Sequence, residues 1–229
     1  MIDICANWIL TAQNTRRTYQ TQLKKLLRAI GVSAEKLVAM PKLKYSAPRS
    51  VTAPKDEFEK VLEVADSRLR LLMLLCGDAG LRAGTAQKLK PAQINEETRT
   101  IETRDKQGAW TRIPMTERLW CEVLYAKSRA KDGETLEQAV SKNGKSMTKS
   151  YRCKALTMAK AKAGVEGNWT FHDLRRTLAR KMYTMTGDLR KAQRILGHRT
   201  MSSTVWYLHD MHTEISSKEI EQALKGEIR

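Results

Sequence analysis

Aromatic residues make up only 6% of this 229-residue chain, with two phenylalanines among them. Any core must therefore be assembled mainly from Leu, Ile, Val, Ala and Met. Cysteine is also sparse. Cys5, Cys76, Cys121 and Cys153 are widely scattered, with no Cys-x-x-Cys pair and no histidine at zinc-finger spacing. That pattern excludes a disulfide scaffold or structural zinc and points to reduced, mostly buried thiols of an intracellular protein. No secretory apolar segment follows Met1, and no apolar run approaches the ~20 residues of a membrane span. The richest run, Leu69 to Cys76, is interrupted by Arg70 and closed by Gly77-Asp78, which predicts a buried helix. A carboxylate cluster is missing as well. His209 and His212 lie three apart, but with no acidic partners at ligand spacing neither a metal nor any other cofactor is expected.

What the chain has in excess is positive charge. Against 25 Asp and Glu stand 42 Lys and Arg, a formal net charge of +17. An imbalance of this size favours a polyanionic partner, nucleic acid before all others. A membrane surface is the main competitor, and it lacks the long lysine-rich amphipathic helix with bulky aromatics that it would need. With 41% hydrophobic and 29% charged residues the chain can still bury a real core.

Two parts are visible along the sequence. From Asn14 to Ile30, Tyr19, Leu23, Leu26, Leu27 and Ile30 follow helical spacing, with Arg16, Arg17, Lys24, Lys25 and Arg28 on other faces. Gly31 ends that helix, Ser33 can cap a second, and Pro41 stops it. Pro41, Pro48 and Pro54, mixed with Lys42, Lys44 and Arg49, read as a semi-rigid charged connection. Beyond it, helices are predicted over 55–66 and 68–79, and a short one over 82–89. Residues 99–104 and 110–115 alternate in polarity around Asp105-Lys106-Gln107-Gly108, a hairpin signature. Further helices are predicted over 116–130, 147–163, 171–186, 188–196 and 201–209, with a weaker one over 216–225. The expected fold class is mainly α with a small antiparallel β-sheet (α+β).

The chemistry-bearing residues lie in the second part. Arg82 ends the run Cys76-Gly77-Asp78-Ala79-Gly80-Leu81-Arg82, where a helix start can add backbone donors to a guanidinium. His172-Asp173-Leu174-Arg175 opens another helix, with Thr170 available as cap. The three-residue spacing puts His172 and Arg175 on one face, able to address one phosphate together. Gly197 ends the next helix and turns His198 back toward them. Tyr207 follows nine residues later in Ser203-Thr204-Val205-Trp206-Tyr207. Taken singly, each has an ordinary explanation: a surface arginine, a chance His-x-x-Arg, a helix-end histidine, a packing tyrosine.

As an ordered set they resemble the catalytic domain of the tyrosine recombinases, the phage integrase family. The segments Gly80-Leu81-Arg82, Thr170 to Thr177, Leu196-Gly197-His198 and Thr204 to His209 match the family's T-G-L-R, T-x-H-D-L-R-R-T, L-G-H and T-x-x-Y-x-H motifs. The likeness covers about residues 52–215. It implies a catalytic set of Arg82, Lys106, His172, Arg175, His198 and the nucleophile Tyr207. In that set the two arginines hold the scissile phosphate, and Lys106 at the hairpin tip protonates the leaving 5′ oxygen. It also implies a 3′-phosphotyrosyl intermediate made and resolved without metal or ATP. The implied partners are double-stranded DNA, a homotetramer on two DNA sites and an accessory DNA-bending protein, with no membrane and a cytoplasmic location. Arg16, Arg17, Lys24, Arg176 and Arg199 are the expected DNA contacts.

The resemblance divides the chain into a partial helical DNA-clamp segment (1–47), a linker (48–54), the catalytic domain (55–215) and a tail (216–229) that can be exchanged between protomers. Two departures stand out. The family has an acidic residue three positions after the first arginine, where this chain has Thr85, and about half of the usual clamp domain is absent. They keep open an alternative of a different class, a catalytically weak or inactive DNA-binding remnant. A type IB topoisomerase shares the chemistry but fits the Leu-Gly-His and Tyr-x-His segments less well. A metal-dependent nuclease lacks its acidic cluster.

Overall fold

The computed structural model describes residues 13–38, 51–104, 110–198, 200–208 and 211. Two compact units divide between Arg49 and Ser50. In the first, helix α1 (Gln13–Ala29) ends at Gly31, whose φ of 84° lets the chain reverse into α2 (Ala34–Val38). Arg16 and Arg17 belong to α1, and Lys24 lies half-exposed on it.

The second unit is built around one apolar helix. Helix α3 (Lys55–Val64) leads into α4 (Ser67–Gly77), whose N-cap Asp66 accepts from the Leu69 amide at 2.8 Å. Leu69 and every residue from Leu71 to Cys76 are buried, as the apolar run broken only by Arg70 predicts. Helix α5 (Ala83–Gln87) follows, then a three-stranded antiparallel sheet of β1 (Ile94–Asn95), β2 (Thr100–Arg104) and β3 (Trp110–Pro114). Ile94 faces Ile101 and Ile101 faces Ile113, forming a buried isoleucine row across the sheet. On the other face Arg112 pairs with Glu102 at 3.0 Å.

Helices α6 (Glu117–Arg129), α7 (Leu136–Ala139) and α8 (Lys149–Lys162) follow. Each is capped by a threonine hydroxyl, of Thr116, Thr135 and Thr148, accepting a first-turn amide. Helix α9 (Phe171–Thr186) packs against α4, and α10 (Leu189–Leu196) and α11 (Met201–Leu208) fold back against α9. The fold is thus mainly helical with a small antiparallel sheet, the class expected from sequence. Strand β1 and helix α7 were not anticipated. Cys76 is buried, with its thiol pushed up to about 12 by burial, but Cys121 and Cys153 are exposed. The expectation of mostly buried thiols is therefore corrected for two of the three described cysteines. They sit on the outer faces of α6 and α8, where a small side chain costs little to solvate.

Candidate active site

Three chain reversals build the cleft. The first is the turn after α4. Gly80 has φ +64°, and a Cβ there would lie 3.1 Å from the Ile195 carbonyl oxygen and 3.2 Å from Leu178 Cδ2. Only glycine fits both the left-handed conformation and the close approach of α10. The turn delivers Arg82, exposed, to the N-cap of α5.

The second reversal starts α9. The Asp173 carboxylate accepts from the Thr170 amide at 2.9 Å and its hydroxyl at 2.8 Å, fixing the first helical turn. From that turn His172 faces solvent while Arg175 points inward, 3% exposed. Arg175 Nη1 donates to the Gly80 carbonyl and Nη2 to the Leu196 carbonyl. One guanidinium thereby ties together the turns that precede Arg82 and His198. Its Nε is buried without a partner. Burial and the neighbouring Arg82 charge lower the Arg175 pKa to about 10, opposed by the Tyr207 hydroxyl beside it.

The third reversal is Gly197, with φ +53° and its amide donating to the Arg194 carbonyl at 3.0 Å. Just beyond it, the His198 backbone is clamped at both ends by Gln193. The His198 amide donates to the Gln193 carbonyl at 3.1 Å, and Gln193 Nε2 donates to the His198 carbonyl at 2.9 Å. The ring is 8% exposed and its Nδ1 lies 3.2 Å from the Thr204 hydroxyl. Burial first, then Arg175 and Arg82, lowers its pKa to about 4, so the ring is neutral at pH 7.

Tyr207, half-buried on α11, closes the group. Its hydroxyl lies 2.9 Å from His172 Nε2. The phenol ring meets His172 edge-on with centroids 5.2 Å apart, and His198 likewise at 4.9 Å. The His172 pKa is lowered by partial burial, then by Arg176, so this ring too is neutral and its free nitrogen can take a proton.

Arg82, His172, Arg175, His198 and Tyr207, drawn from four helical elements, therefore meet at one cleft. Arg82, Thr85, Arg104, Thr111 and Arg175 line it on the side of the sheet. Lys106 and Arg199 lie outside the described residues. Arg176, expected as a DNA contact, is placed differently. It is 5% exposed, pairs with Asp173 at 3.4 Å and lies over the Tyr207 ring at 5.4 Å. Held by the Asp173 carboxylate, its guanidinium supports the Tyr207 ring. Arg104 and Thr204 were not singled out from sequence. Thr204 carried a signal, three residues before Tyr207 on the same helix; Arg104 carried none beyond its nearness to the hairpin.

The sequence model of the phage integrase family matches residues 52–214. The chain belongs to this family. Its relatives include "Tyrosine recombinase XerA" of Pyrococcus horikoshii, 32% identical over 197 residues that cover 84% of this chain and 65% of that protein. "Tyrosine recombinase XerD" of Vibrio vulnificus is 27% identical over 206 residues, covering 85% and 66%. This phage integrase family chain thus spans about two thirds of the length of the relatives it matches. Its fold is that of the XerH recombinase in a pre-cleavage complex with difH substrate, at a TM-score of 0.69 and 21% identity over 94% of this chain and 66% of that one. A lambda integrase dimer bound to a COC′ core site gives the same TM-score and identity over 90% and 76%.

Proposed function

We propose that this chain is a site-specific recombinase that cleaves and rejoins double-stranded DNA through a 3′-phosphotyrosyl intermediate. The observation that carries the reading is the Tyr207 hydroxyl, 2.9 Å from a neutral His172 nitrogen and beside the buried cation Arg175. Phosphodiesters resist attack because they are anionic and lose a poor leaving group, so cations, a proton donor and a nucleophile must be held ready.

In the proposed step Tyr207 Oη bonds to phosphorus while the bond to the 5′ oxygen breaks. The phenol proton passes to His172 Nε2. Arg82 and Arg175 offset charge on the non-bridging oxygens. With its Nδ1 accepting from the Thr204 hydroxyl, His198 presents Nε2–H to the same phosphate. Lys106 supplies the proton for the leaving 5′ oxygen. Attack by the 5′ hydroxyl of a partner duplex reverses the linkage and releases Tyr207. Bond energy is conserved throughout, so no ATP enters, and Arg82 and Arg175 offset the charge that a metal would otherwise neutralise. Exchange between two sites calls for four protomers, with an accessory bending protein where the sites must be brought together. Such work belongs to the cytoplasm.

Labelled nicked duplexes, drawn from DNA flanking the coding region, test this in EDTA. A slow-migrating covalent protein–DNA band is expected, and Tyr207→Phe should abolish it while DNA affinity stays within a few-fold. Salt-sensitive binding with no band on any duplex would favour the binding-only remnant, the reading that Thr85 motivates.

A further inference from the structure

Thr85 stands exposed where the family's acidic support for the first arginine is expected, so Arg82 must be held by something else. The helix it caps is gripped from behind. Arg152, on α8 and 8% exposed, directs Nη1 to Gln87 Oε1 in the last turn of α5 and to the Ala83 carbonyl, 3.5 Å away, in its first. Gln87 in turn donates Nε2 to the Ser146 hydroxyl at 2.9 Å and to the Met147 carbonyl. Ser146 donates to Glu137, which is fully buried and also accepts from Arg68. The same Arg152 guanidinium lies 5.9 Å over the ring of Phe171, the residue before His172. One side chain therefore touches the helix capped by Arg82 and the first residue of the helix that carries His172.

Burying this cation is not explained by stability. Among the described residues Arg152 has no carboxylate partner, and its Nε has no hydrogen-bond partner at all. An apolar side chain would fill the same space without that desolvation penalty. What the guanidinium supplies is one nitrogen, Nη1, set between two fixed acceptors of α5, while the same group lies over the Phe171 ring.

We propose that Arg152, acting through Gln87 and the Ala83 carbonyl, is a positioning residue for Arg82. It fixes α5 from behind, where Thr85 offers Arg82 no carboxylate. The inference rests on the strand-transfer reading only for its kinetic consequence; the placement of α5 can be measured without DNA.

Four variants test it: Arg152→Met, Arg152→Lys, Gln87→Leu, and Arg152→Met in an Arg82→Lys background. In the free protein, amide hydrogen exchange of residues 83–87 should quicken about tenfold in Arg152→Met and Gln87→Leu, with α9 as protected as in the parent. In the covalent-trapping assay at saturating duplex, the cleavage rate of both should fall at least tenfold with Kd within threefold. Arg152→Lys, which keeps the charge and a donor but loses the planar group over Phe171, should retain the parent behaviour only in part. Because Arg152 works through Arg82, its loss should cost much less in the Arg82→Lys background than in the parent. Unchanged exchange over 83–87, or equal costs in the two backgrounds, would overturn the proposal. A parent protein that forms no covalent band on any duplex would defeat the strand-transfer reading instead, and the exchange result would then decide the positioning claim alone.

Discussion

At the scale of single residues, Arg175 shows how structure and chemistry share one side chain. Its two Nη groups hold the Gly80 and Leu196 carbonyls, and its burial between them sets the guanidinium beside Tyr207. Lysine keeps the charge but can reach only one carbonyl in that geometry. Arg175→Lys should therefore lower stability by roughly 1.5–3 kcal/mol, the worth of a charged hydrogen bond, and reduce cleavage by at least two powers of ten. Urea unfolding and single-turnover trapping measure the two effects, and near-normal cleavage would remove Arg175 from the phosphate.

His198 gives a pH signature. Its folded pKa of about 4 lies below the ordinary 6.5, so the folded state binds the proton less readily than the unfolded chain. The stability this represents, up to about 3 kcal/mol, is present above pH 6.5 and lost as pH falls from there through 4. Urea midpoints should drop over that window in the parent protein, and drop less in His198→Gln. An equal drop in both would show that other groups govern acid unfolding.

At the scale of elements, glycine-assisted reversals bring together residues that are distant in sequence. Gly80 is the most constrained of them, since it combines a left-handed φ with backbone contact to Ile195. Gly80→Ala should cost roughly 2 kcal/mol, from the left-handed strain and the displacement of α10. Cleavage should fall more than DNA binding, because the turn carries Arg82. Gly197→Ala meets open space, and only the strain of its φ applies.

These reversals were legible in sequence because glycine at a helix end leaves few alternatives, and the long helices were legible through their apolar spacing. Two elements were not. Strand β1 is two residues long, too short for alternation to register, and exists because Ile94 pairs with Ile101. Helix α7 is four residues long, although Thr135 and Gln138 do form the spaced pair of a capping box. Buried cations defeated the sequence reading for a different reason. Arg152 and Arg176 look like surface charge, and only tertiary packing around Gln87, Asp173 and Tyr207 places them inside.

At the scale of the whole molecule, charge does what no single residue can. With a net charge of +17 the protein should bind duplex DNA mainly through released counterions, so affinity should fall steeply with salt. A loss of about a hundredfold or more in binding constant between 50 and 200 mM salt is expected on a duplex of about 30 base pairs. A flat dependence would mean that the excess charge serves something other than DNA. The candidate site itself was legible as a set of spaced motifs that include Asp173 and Thr204, while the support from Arg152 emerged only from the fold.

Covalent joining of Tyr207 to DNA is the event on which the proposed chemistry depends. The most direct measurement digests the EDTA-trapped adduct with protease and nuclease and locates the remaining nucleotide by mass spectrometry. A nucleotide attached through its 3′ phosphate to the peptide bearing Tyr207 is the predicted result. Attachment to another residue, or through a 5′ phosphate, would contradict it.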